Sequence, residues 1–481
     1  MVMNREDIVA NLKKILGADR VTTEEQALRD ASVDRFRKYE NIRGVCTQPV
    51  PAAIAYVQSA QEVSDVLQFA SEHQINIVPR TGVSATEGGL ETVVPDSVVL
   101  DGSRMNKILS IDPYDMQATC QCGVSLQTLD DRCREMGLTT GHSPQSKPLA
   151  QMGGLTATRS IGQFSTLYGG IEDMIVGLEA VFPNGRITRI KNVPRRAAGP
   201  DIRHVVVGNE GTLCFITEVT VKLFPYYPEN NVFLGYLLDD MKLGFELLRE
   251  VMVRGYRPSI ARLYDPEDGA SHFSHFAGDS CVLIFMAEGP KGLAQATAEA
   301  ISAIVAQKPQ CRPVDPDYIR RWFNGLNWDP IKVAEERAEI IATNNIGHTT
   351  EISAPWSRLY EIYEVVMKRV RAEVPDLTLL GGHSSHGYIN GANIYFVYYY
   401  NMVNIVPEEE ITKYHLPIKK IIVEETLARG GSMCHHHGVG KHRAAWIEDE
   451  YGSSFYILKT LKEAFDPRGV MNMGDIIPLK R

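Results

Sequence analysis

The stretch PRTGVSATEGG (79–89) decides the fold. It lies between two short apolar runs that read as β-strands, and a helical pattern at 60–73 precedes it, so the loop belongs to an α/β unit. Its small residues let the backbone approach a ligand closely, and free N–H groups with the hydroxyls of Ser84 and Thr86 can hold phosphate oxygens. It matches neither GxxxxGK[ST] nor GxGxxG, so taken alone it is equally consistent with a simple turn.

Two further stretches of small residues favour a phosphate-binding loop over a simple turn. MGGLTATRSIG (152–162) and GNEGT (208–212) lie in the same α/β region, and the second one precedes a β-run. Three such places in one domain predict a long ligand.

The pattern of the chain changes near residue 226. Before it we predict strands at 53–57, 75–78, 98–101, 108–111, 118–122, 174–182, 187–190 and 215–224, with helices at 60–73 and 126–136. After it we predict a ferredoxin-type α+β layer, with strands at 232–238, 260–264, 282–287, 377–381 and 392–400 and helices at 245–253, 292–306, 355–374 and 408–429. The expected domains are 1–225 and 226–444, and residues 445–481 are expected to pack back on them.

Composition excludes several classes of function. The 481 residues are 44% apolar and 23% charged, which is typical of a globular protein and not of a disordered chain or a coiled coil. The formal charge of −9 leaves no basic surface for a polyanion, so no nucleic-acid partner is expected. No apolar run reaches the roughly 18 residues of a membrane span, and the charged N-terminus lacks the apolar core of a signal peptide. We therefore expect a cytoplasmic protein without a membrane span.

The densest chemical cluster is HHHGVGKHR (435–443). One interpretation is that the three histidines lie on a solvent-exposed loop and have no catalytic role. Alternate side chains of a strand face opposite sides, so His435 and His437 are predicted to share a face. An imidazole, with an ordinary pKa near 6.5, can accept a hydroxyl proton at neutral pH.

Two other side chains attract attention. In the run IYFVYYY (394–400), alternation places Tyr395 on one face with Val397 and Tyr399, although such a strand more often serves packing. Arg262 is the lone charge in the apolar run SIARL (259–263), where an arginine is usually a surface or ion-pair residue.

Longer motifs support a family resemblance. They are PRTGVSATEGG (79–89), GHSPQSKPLAQMGGLTATRS (141–160), YGGIEDMIVGLEAVFPNG (168–185), VVVGNEGTLCFITEVTVKLFP (205–225) and FDPRGVMNMG (465–474). In this order and spacing the chain resembles the FAD-linked oxidases of the PCMH-type (vanillyl-alcohol oxidase) fold. PSIARLYD (258–265), SSHGYINGANIYF (384–396) and HHHGVGKHR make the C-terminal half resemble the alkyl-dihydroxyacetonephosphate synthase branch. The implied fold is α+β, with a two-part FAD-binding domain and a ferredoxin-like cap domain for the substrate.

The resemblance implies FAD as the cofactor and gives its contacts. The implied cofactor-binding residues are Pro79, Arg80, Thr81, Gly82, Val83, Ser84, Ala85, Gly89, Pro144, Gln145, Ser146, Gly153, Gly154, Thr156, Thr158, Arg159, Ser160, Glu210, Ile216 and Asn472. Thr81 and Val83 stand where relatives usually have glycine, so we expect a stiffer loop with fewer backbone donors. The loop lacks the histidine to which some relatives attach FAD, so dissociable flavin is expected, with His142 as the one nearby alternative.

The resemblance also implies the catalytic residues. They are His435, His436, His437, Tyr395, Arg262 and His386, with the histidine motif beside the flavin and Arg262 binding a carboxylate or phosphate in a bidentate way. Relatives acting on 2-hydroxy acids hold a divalent ion with two histidines and a glutamate. His383, His386 and His436 could bind zinc here, but the carboxylate is missing, so we expect no metal.

The expected activity is FAD-dependent oxidation of a hydroxyl-bearing, anionic small molecule. A transferase like alkyl-dihydroxyacetonephosphate synthase, without net redox change, is the alternative, and a flavoprotein that only binds ligand is the third possibility. An unidentified electron acceptor, such as an electron-transfer protein, and a homo-oligomer are also expected.

Overall fold

The computed structural model describes residues 3–479, and its first sheet carries the loop 79–89. This sheet has the strand order Val21–Thr22, Ala53–Tyr56, Val98–Asp101 and Ile77–Arg80. The last three strands are parallel. The helix Ala60–His73 connects two of them and begins at Ser59, whose side chain accepts a hydrogen bond from the backbone of Glu62. The loop therefore leaves the carboxyl end of a parallel strand, where α/β sheets usually bind ligands.

The second sheet is antiparallel and completes the first half of the chain. Its strand order is Ile108–Asp112, Gln117–Gln121, Phe215–Lys222, Ile175–Val181 and Ile187–Ile190. A separate pair joins Leu138–Thr139 to Phe224–Pro225. The strand predicted at 174–182 begins one residue late, because the helical turn Ile171–Met174 directly precedes it.

The third sheet has seven antiparallel strands and carries one wall of the site. Its strand order is Arg312–Pro313, Val232–Leu238, Cys281–Ala287, Ile260–Tyr264, Leu377–Ser384, Gly391–Asn401 and Asn345–Pro355. Ala261 and Phe396 belong to the main apolar core on the face covered by helices. Because side chains alternate along a strand, Arg262 and Tyr395 lie on the opposite face, as the sequence predicted for Tyr395.

Helices fill the space around these sheets. In the first half they are Arg5–Leu16, Glu25–Ala31, Lys38–Ile42, Ala60–His73, Leu126–Arg134, Met152–Ala157, Ser165–Tyr168, Ile171–Met174 and Arg203–Val206. In the second half they are Met241–Val253, Pro266–Phe273, Lys291–Val305, Pro316–Asn324, Pro330–Thr343, Trp356–Glu373, Leu416–Ala428, Ile447–Tyr451 and Phe455–Phe465. None of the helices within 3–479 has the length and apolar character needed to cross a lipid bilayer.

Several elements of the cap differ from the sequence prediction. The long edge strand Asn345–Pro355 was not predicted, and the helix predicted at 408–429 is shorter, because its first part is the π-helical turn Ile411–His415. The helices Pro316–Asn324 and Pro330–Thr343 were also missed, although an Asp-Pro pair starts each one.

The C-terminal segment contacts the first sheet. Met471 pairs with Ile77 as an isolated parallel bridge, and the backbone N–H of Asn472 donates to the carbonyl of Ile77 at 2.8 Å. The second sheet ends at residue 222, the separate pair ends at 225 and the third sheet begins at 232, while the predicted domain limits remain a prediction.

Candidate active site

A cavity of about 460 Å³ lies between the loops of the first half of the chain and one face of the seven-stranded sheet. Ligand pockets commonly have volumes of about 300–1,000 Å³. The predicted site residues that line it are Pro79, Arg80, Thr81, Gly82, Val83, Ser84, Ala85, Gly89, Pro144, Gln145, Ser146, Gly153, Gly154, Thr158, Ser160, Glu210, Ile216, Arg262, His386, Tyr395, His436 and His437. The fold thus brings together residues from both halves of the chain.

The loop after strand Ile77–Arg80 is built to receive an anion. Within the described residues, no backbone N–H group from 82 to 86 donates to a protein acceptor, and the buried hydroxyl of Thr81 also has no partner. A Cβ on Gly82 would lie 2.7 Å from the backbone nitrogen of Gln151 and from the carbonyl of Leu149, so only glycine fits there. Unpartnered donors facing a cavity fit the pyrophosphate of FAD.

Val83 supports the expectation of a stiff loop. Its φ of +52° lies in the left-handed region, and its side chain is 43% exposed. A residue with a Cβ pays about 1–2 kcal/mol for that conformation, and a branched side chain is especially unfavourable. The loop is therefore held in a strained shape by its surroundings.

Two predicted cofactor-binding residues lie behind the cavity wall. Thr156 is buried, and its hydroxyl donates to the carbonyl of Met152 at 2.8 Å. The side chain of Arg159 is 55% exposed and reaches Glu172 at 3.3 Å. Direct contact of these two side chains with FAD is not supported by their placement.

Asn472 also lies behind the wall, where it joins three segments. Its amide donates to the carbonyls of Gly89 at 3.0 Å and Glu210 at 2.8 Å, and it accepts from Lys441 at 2.7 Å. Burial and the nearby carboxylate of Asp475 raise the pKa of Glu210 well above its ordinary value. The side chain of Asn472 thus fixes two cavity-lining residues instead of lining the cavity itself.

The histidine cluster departs from its prediction. Residues 435–437 form bends instead of a strand, because one carboxylate takes up their backbone N–H groups. Glu351 accepts from the backbone of His435 at 2.7 Å, of His436 at 3.2 Å and of His437 at 2.6 Å. The rings of His436 and His437 line the cavity, whereas His435 lies outside its wall with Nε2 2.8 Å from the hydroxyl of Tyr388. The prediction that His435 and His437 share one face of a strand is therefore wrong.

A buried network of charges supports this turn. The guanidinium of Arg443 is fully buried and bridges Glu351 at 3.3 Å and Glu87 at 3.1 Å, while Lys419 also contacts Glu87. Burial alone would raise the pKa values of both carboxyls, but the charge of Arg443 brings both below their ordinary range. Both glutamates are therefore ionised at neutral pH.

Tyr395 and His437 form a direct hydrogen-bonded pair. The phenol oxygen lies 2.9 Å from Nε2 of His437 and accepts from Thr349 at 3.2 Å. The other ring nitrogen, Nδ1, lies 3.5 Å from Glu87 and 3.7 Å from Glu351. Burial raises the pKa of Tyr395, so the phenol is protonated at neutral pH. The pair can move a proton between the cavity and the imidazole.

Arg262 is buried on the sheet face that lines the cavity. One guanidinium nitrogen donates to the hydroxyl of Tyr264 at 2.6 Å, and the charge lies over the rings of Tyr264 and Trp322. Within the described residues it forms no ion pair, and its Nε has no hydrogen-bond partner. A buried guanidinium that faces a cavity and has no direct ion-pair partner is suited to bind an anion.

The structure groups a different set of histidines from the trio considered for zinc. His386, His435 and His436 each offer a nitrogen, and these three atoms lie within 4.8 Å of one another. His383 instead places Nδ1 2.5 Å from Asp268. Burial lowers the pKa of His435 to about 4 and those of His386 and His436 well below 6.5. The expectation of no metal remains a prediction.

His142 is the alternative attachment point for flavin. It is buried outside the cavity wall, with Nε2 3.2 Å from the hydroxyl of Ser160. Burial lowers its pKa to about 3, so the imidazole is neutral. The expectation of dissociable FAD remains a prediction.

Sequence reasoning missed the acidic partners in this site. Glu351 and Asp268 belong to elements that carry no recognised motif, and only the folded chain places them beside the histidines. Glu87 had a visible signal, since it is the one acidic residue in the loop 79–89.

Family profiles match both halves of the chain. The profile described as FAD binding domain matches residues 51–191, and the one described as FAD linked oxidases, C-terminal domain matches residues 227–476. The chain therefore belongs to the FAD-linked oxidases. It is an FAD-dependent oxidoreductase, and FAD is its cofactor.

Individual relatives agree with this family. The protein named Uncharacterized FAD-linked oxidoreductase YgcU from Escherichia coli (strain K12) is 63% identical over the full length of both chains. An alkyldihydroxyacetonephosphate synthase from Caenorhabditis elegans is 25% identical over 91% of this chain and 78% of its own. The mitochondrial D-lactate dehydrogenase (cytochrome) of Arabidopsis thaliana is 26% identical over 98% of this chain and 80% of its own.

A solved structure shows the same fold. A crystal structure of p-cresol methylhydroxylase with bound substrate superposes with a TM-score of 0.74, at 18% identity, over 99% of this chain and 97% of that one. The PCMH-type α+β fold expected from the sequence is confirmed.

Proposed function

We propose that the protein oxidises a hydroxyl group of an anionic small molecule, such as a hydroxy acid, a sugar acid or a polyol phosphate. The observation that carries this proposal is Arg262, a buried guanidinium that faces the cavity without an ion-pair partner among residues 3–479. The carboxylate of Asp268 interacts with this guanidinium only at longer range. An anionic substrate would pair with it directly, and the planar fork of arginine suits a carboxylate or a phosphate.

The pair formed by Tyr395 and His437 provides a path for the hydroxyl proton. A substrate hydroxyl that donates to the phenol oxygen can pass its proton there while the phenol proton moves to Nε2 of His437, 2.9 Å away. Glu87 and Glu351, both on the Nδ1 side of that ring, stabilise the imidazolium that forms. Bound FAD supplies the two-electron acceptor for the hydrogen that leaves the carbon.

Residues that would hold FAD are those with free donors and small side chains. The backbone of 82–86 and the hydroxyl of Thr81 would take the pyrophosphate, and Gly153, Gly154 and Ser160 line the adjoining wall. We expect a yellow protein whose flavin is released by acid precipitation. Flavin that stays on the precipitated chain would contradict dissociable binding, and colourless protein that free FAD cannot reconstitute would contradict this cofactor site.

The activity is tested by anaerobic mixing with hydroxy acids, sugar acids and polyol phosphates. We expect one class to bleach the flavin, and the colour to return when an electron acceptor is added. Arg262→Met should lose the bleaching, whereas Arg257→Met, at an exposed arginine just before the same strand, should keep it. Loss of bleaching in both variants, or in neither, would contradict the role of Arg262.

A synthase-like transferase without net redox change is the second candidate. The sequence match to alkyldihydroxyacetonephosphate synthase and the motif at 435–443 favour it. Product formation with no need for an external electron acceptor would support this candidate and contradict net oxidation.

Three further expectations accompany the proposal. They are a cytoplasmic location, assembly with further copies of the same chain, and transfer of electrons to a separate acceptor. Sedimentation of the purified protein tests the assembly, and reoxidation rates with dyes and electron-transfer proteins test the acceptor.

A further inference from the structure

An aspartate–histidine pair lines the cavity beside Arg262 and has no part in the proton path described above. His383 is the next-to-last residue of strand Leu377–Ser384, and Asp268 belongs to the helix Pro266–Phe273. Nδ1 of His383 lies 2.5 Å from Oδ2 of Asp268, and both residues line the cavity. The pair therefore belongs to the binding surface and not only to the core.

The surroundings of His383 fix the orientation of its ring. The ring stacks on that of Tyr395, with the centroids 4.7 Å apart and an interplanar angle of 13°. The centroid of the Tyr264 ring lies 5.0 Å from that of His383. His383 is paired across the sheet with Tyr264, which binds the guanidinium of Arg262. The histidine and the arginine are thus neighbours on one face of the sheet.

The carboxylate of Asp268 determines which ring nitrogen carries the proton. Because Asp268 is buried and ionised, it accepts the N–H of Nδ1, and Nε2 is left with its lone pair. Among the described residues Nε2 makes no hydrogen bond, and this atom is not fully enclosed by protein. Burial lowers the pKa of His383, which keeps the ring neutral. Nε2 is a hydrogen-bond acceptor that needs a donor from the cavity.

We propose that Nε2 of His383 accepts a hydrogen bond from a second substrate hydroxyl, next to the anionic group held by Arg262. The substrates are then anions with at least two hydroxyl groups, and simple monohydroxy acids are poor ligands. This inference rests on the proposed function for the reacting hydroxyl, which belongs to Tyr395 and His437. It deepens that proposal by naming what distinguishes a good substrate from a poor one.

The size of the effect follows from the unpaired acceptor. A ligand without the second hydroxyl removes the only donor to a largely buried nitrogen, which weakens binding about 10- to 100-fold. His383→Asn retains an N–H that can donate to Asp268 but removes the Nε2 acceptor. Asp268→Asn removes the charge that fixes the proton on Nδ1, so the ring no longer presents Nε2 only as an acceptor.

The test compares ligands that differ by hydroxyl groups. The pairs are glycerate with lactate, gluconate with 2-hydroxyhexanoate, and glycerol 3-phosphate with 1,2-propanediol 1-phosphate. Dissociation constants are measured from the change in flavin absorption of the oxidised holoenzyme, and anaerobic bleaching rates are measured separately. The first two pairs are carboxylates and the third is a phosphate, so the comparison also identifies the anion.

We expect the wild-type enzyme to prefer the more hydroxylated member of at least one pair about 10- to 100-fold. His383→Asn should reduce that preference to less than about 3-fold, mainly by weakening the more hydroxylated ligand, and Asp268→Asn should reduce it to a smaller extent. His275→Asn, which removes an imidazole outside the cavity, should leave the preference intact.

Several results would overturn the inference. They are the absence of binding by every ligand, an equal affinity for both members of every pair, or an unchanged preference in His383→Asn. A fall in kcat that is the same for both members of a pair would show that His383 acts as a base and would also overturn it. Preferential binding without bleaching would leave this inference standing and contradict the proposed oxidation.

Discussion

The turn that carries the three histidines depends on a single carboxylate, and Glu351→Gln tests this dependence. The two oxygens of Glu351 accept the N–H groups of His435, His436 and His437 at 2.7, 3.2 and 2.6 Å. Glutamine has the same shape, but one oxygen becomes an NH₂ group that faces a donor. The substitution also removes the charge that lies 3.3 Å from Arg443.

The expected cost follows from these lost contacts. A hydrogen bond to a charged group contributes about 1.5–3 kcal/mol, and removing one partner of a buried ion pair costs about 3–5 kcal/mol. Arg443 keeps Glu87 as a partner, which limits the loss. We therefore expect the free energy of unfolding to fall by about 3–5 kcal/mol. We also expect kcat to fall, because the position of His437 relative to Tyr395 is no longer fixed.

The assay is urea unfolding at saturating FAD, together with steady-state kinetics at equal flavin occupancy. Glu361→Gln makes the same change at a half-exposed carboxylate that pairs with Arg429 at 3.1 Å, so its free energy of unfolding should change by less than about 1 kcal/mol. A Glu351→Gln protein that matches this control in both stability and kcat would refute the reasoning.

The remaining predictions concern the cofactor loop, the proton path and pH. Gly82→Val should abolish FAD binding, because a side chain there meets backbone atoms at 2.7 Å, and unchanged flavin content would show that the loop is only a turn. His437→Ala should lower kcat about 10²–10⁴-fold with FAD still bound, and Tyr395→Phe should lower kcat less. Arg262→Lys should mainly raise KM. A variant with normal steady-state constants would show that its residue has no part in the mechanism. The contribution of His142 should make stability fall from pH 7 to pH 5, because His142 stays neutral in the fold down to about 3 while the unfolded chain takes up a proton near 6.5. His142 contributes about 2 kcal/mol to this fall, so His142→Gln should show a smaller pH dependence of the urea midpoint, and an equal dependence would contradict it.

Local features of the site could be predicted from the sequence. The loop 79–89 was recognisable because glycine and small side chains have a direct backbone meaning, and alternation along 394–400 correctly placed Tyr395, Val397 and Tyr399 on one face. Both inferences depend on residues that are neighbours in the chain.

The partners of the histidines could not be predicted in this way. Glu351 lies more than 80 residues before His435, and Asp268 lies 115 residues before His383. The strand assumed for 435–437 failed for the same reason, since those N–H groups bind a distant carboxylate instead of a neighbouring strand. Charged residues without a motif acquire their role only when the two halves of the chain meet.

Net oxidation requires the transfer of a carbon-bound hydrogen from the substrate to the flavin. The decisive measurement is the rate of anaerobic flavin bleaching in a single turnover, with a bleaching substrate that carries deuterium or hydrogen on its hydroxyl-bearing carbon. We predict slower bleaching with deuterium, and no bleaching in either case for Arg262→Met at the same substrate concentration. Substrate turnover without any loss of flavin absorbance would contradict net oxidation and favour a transferase.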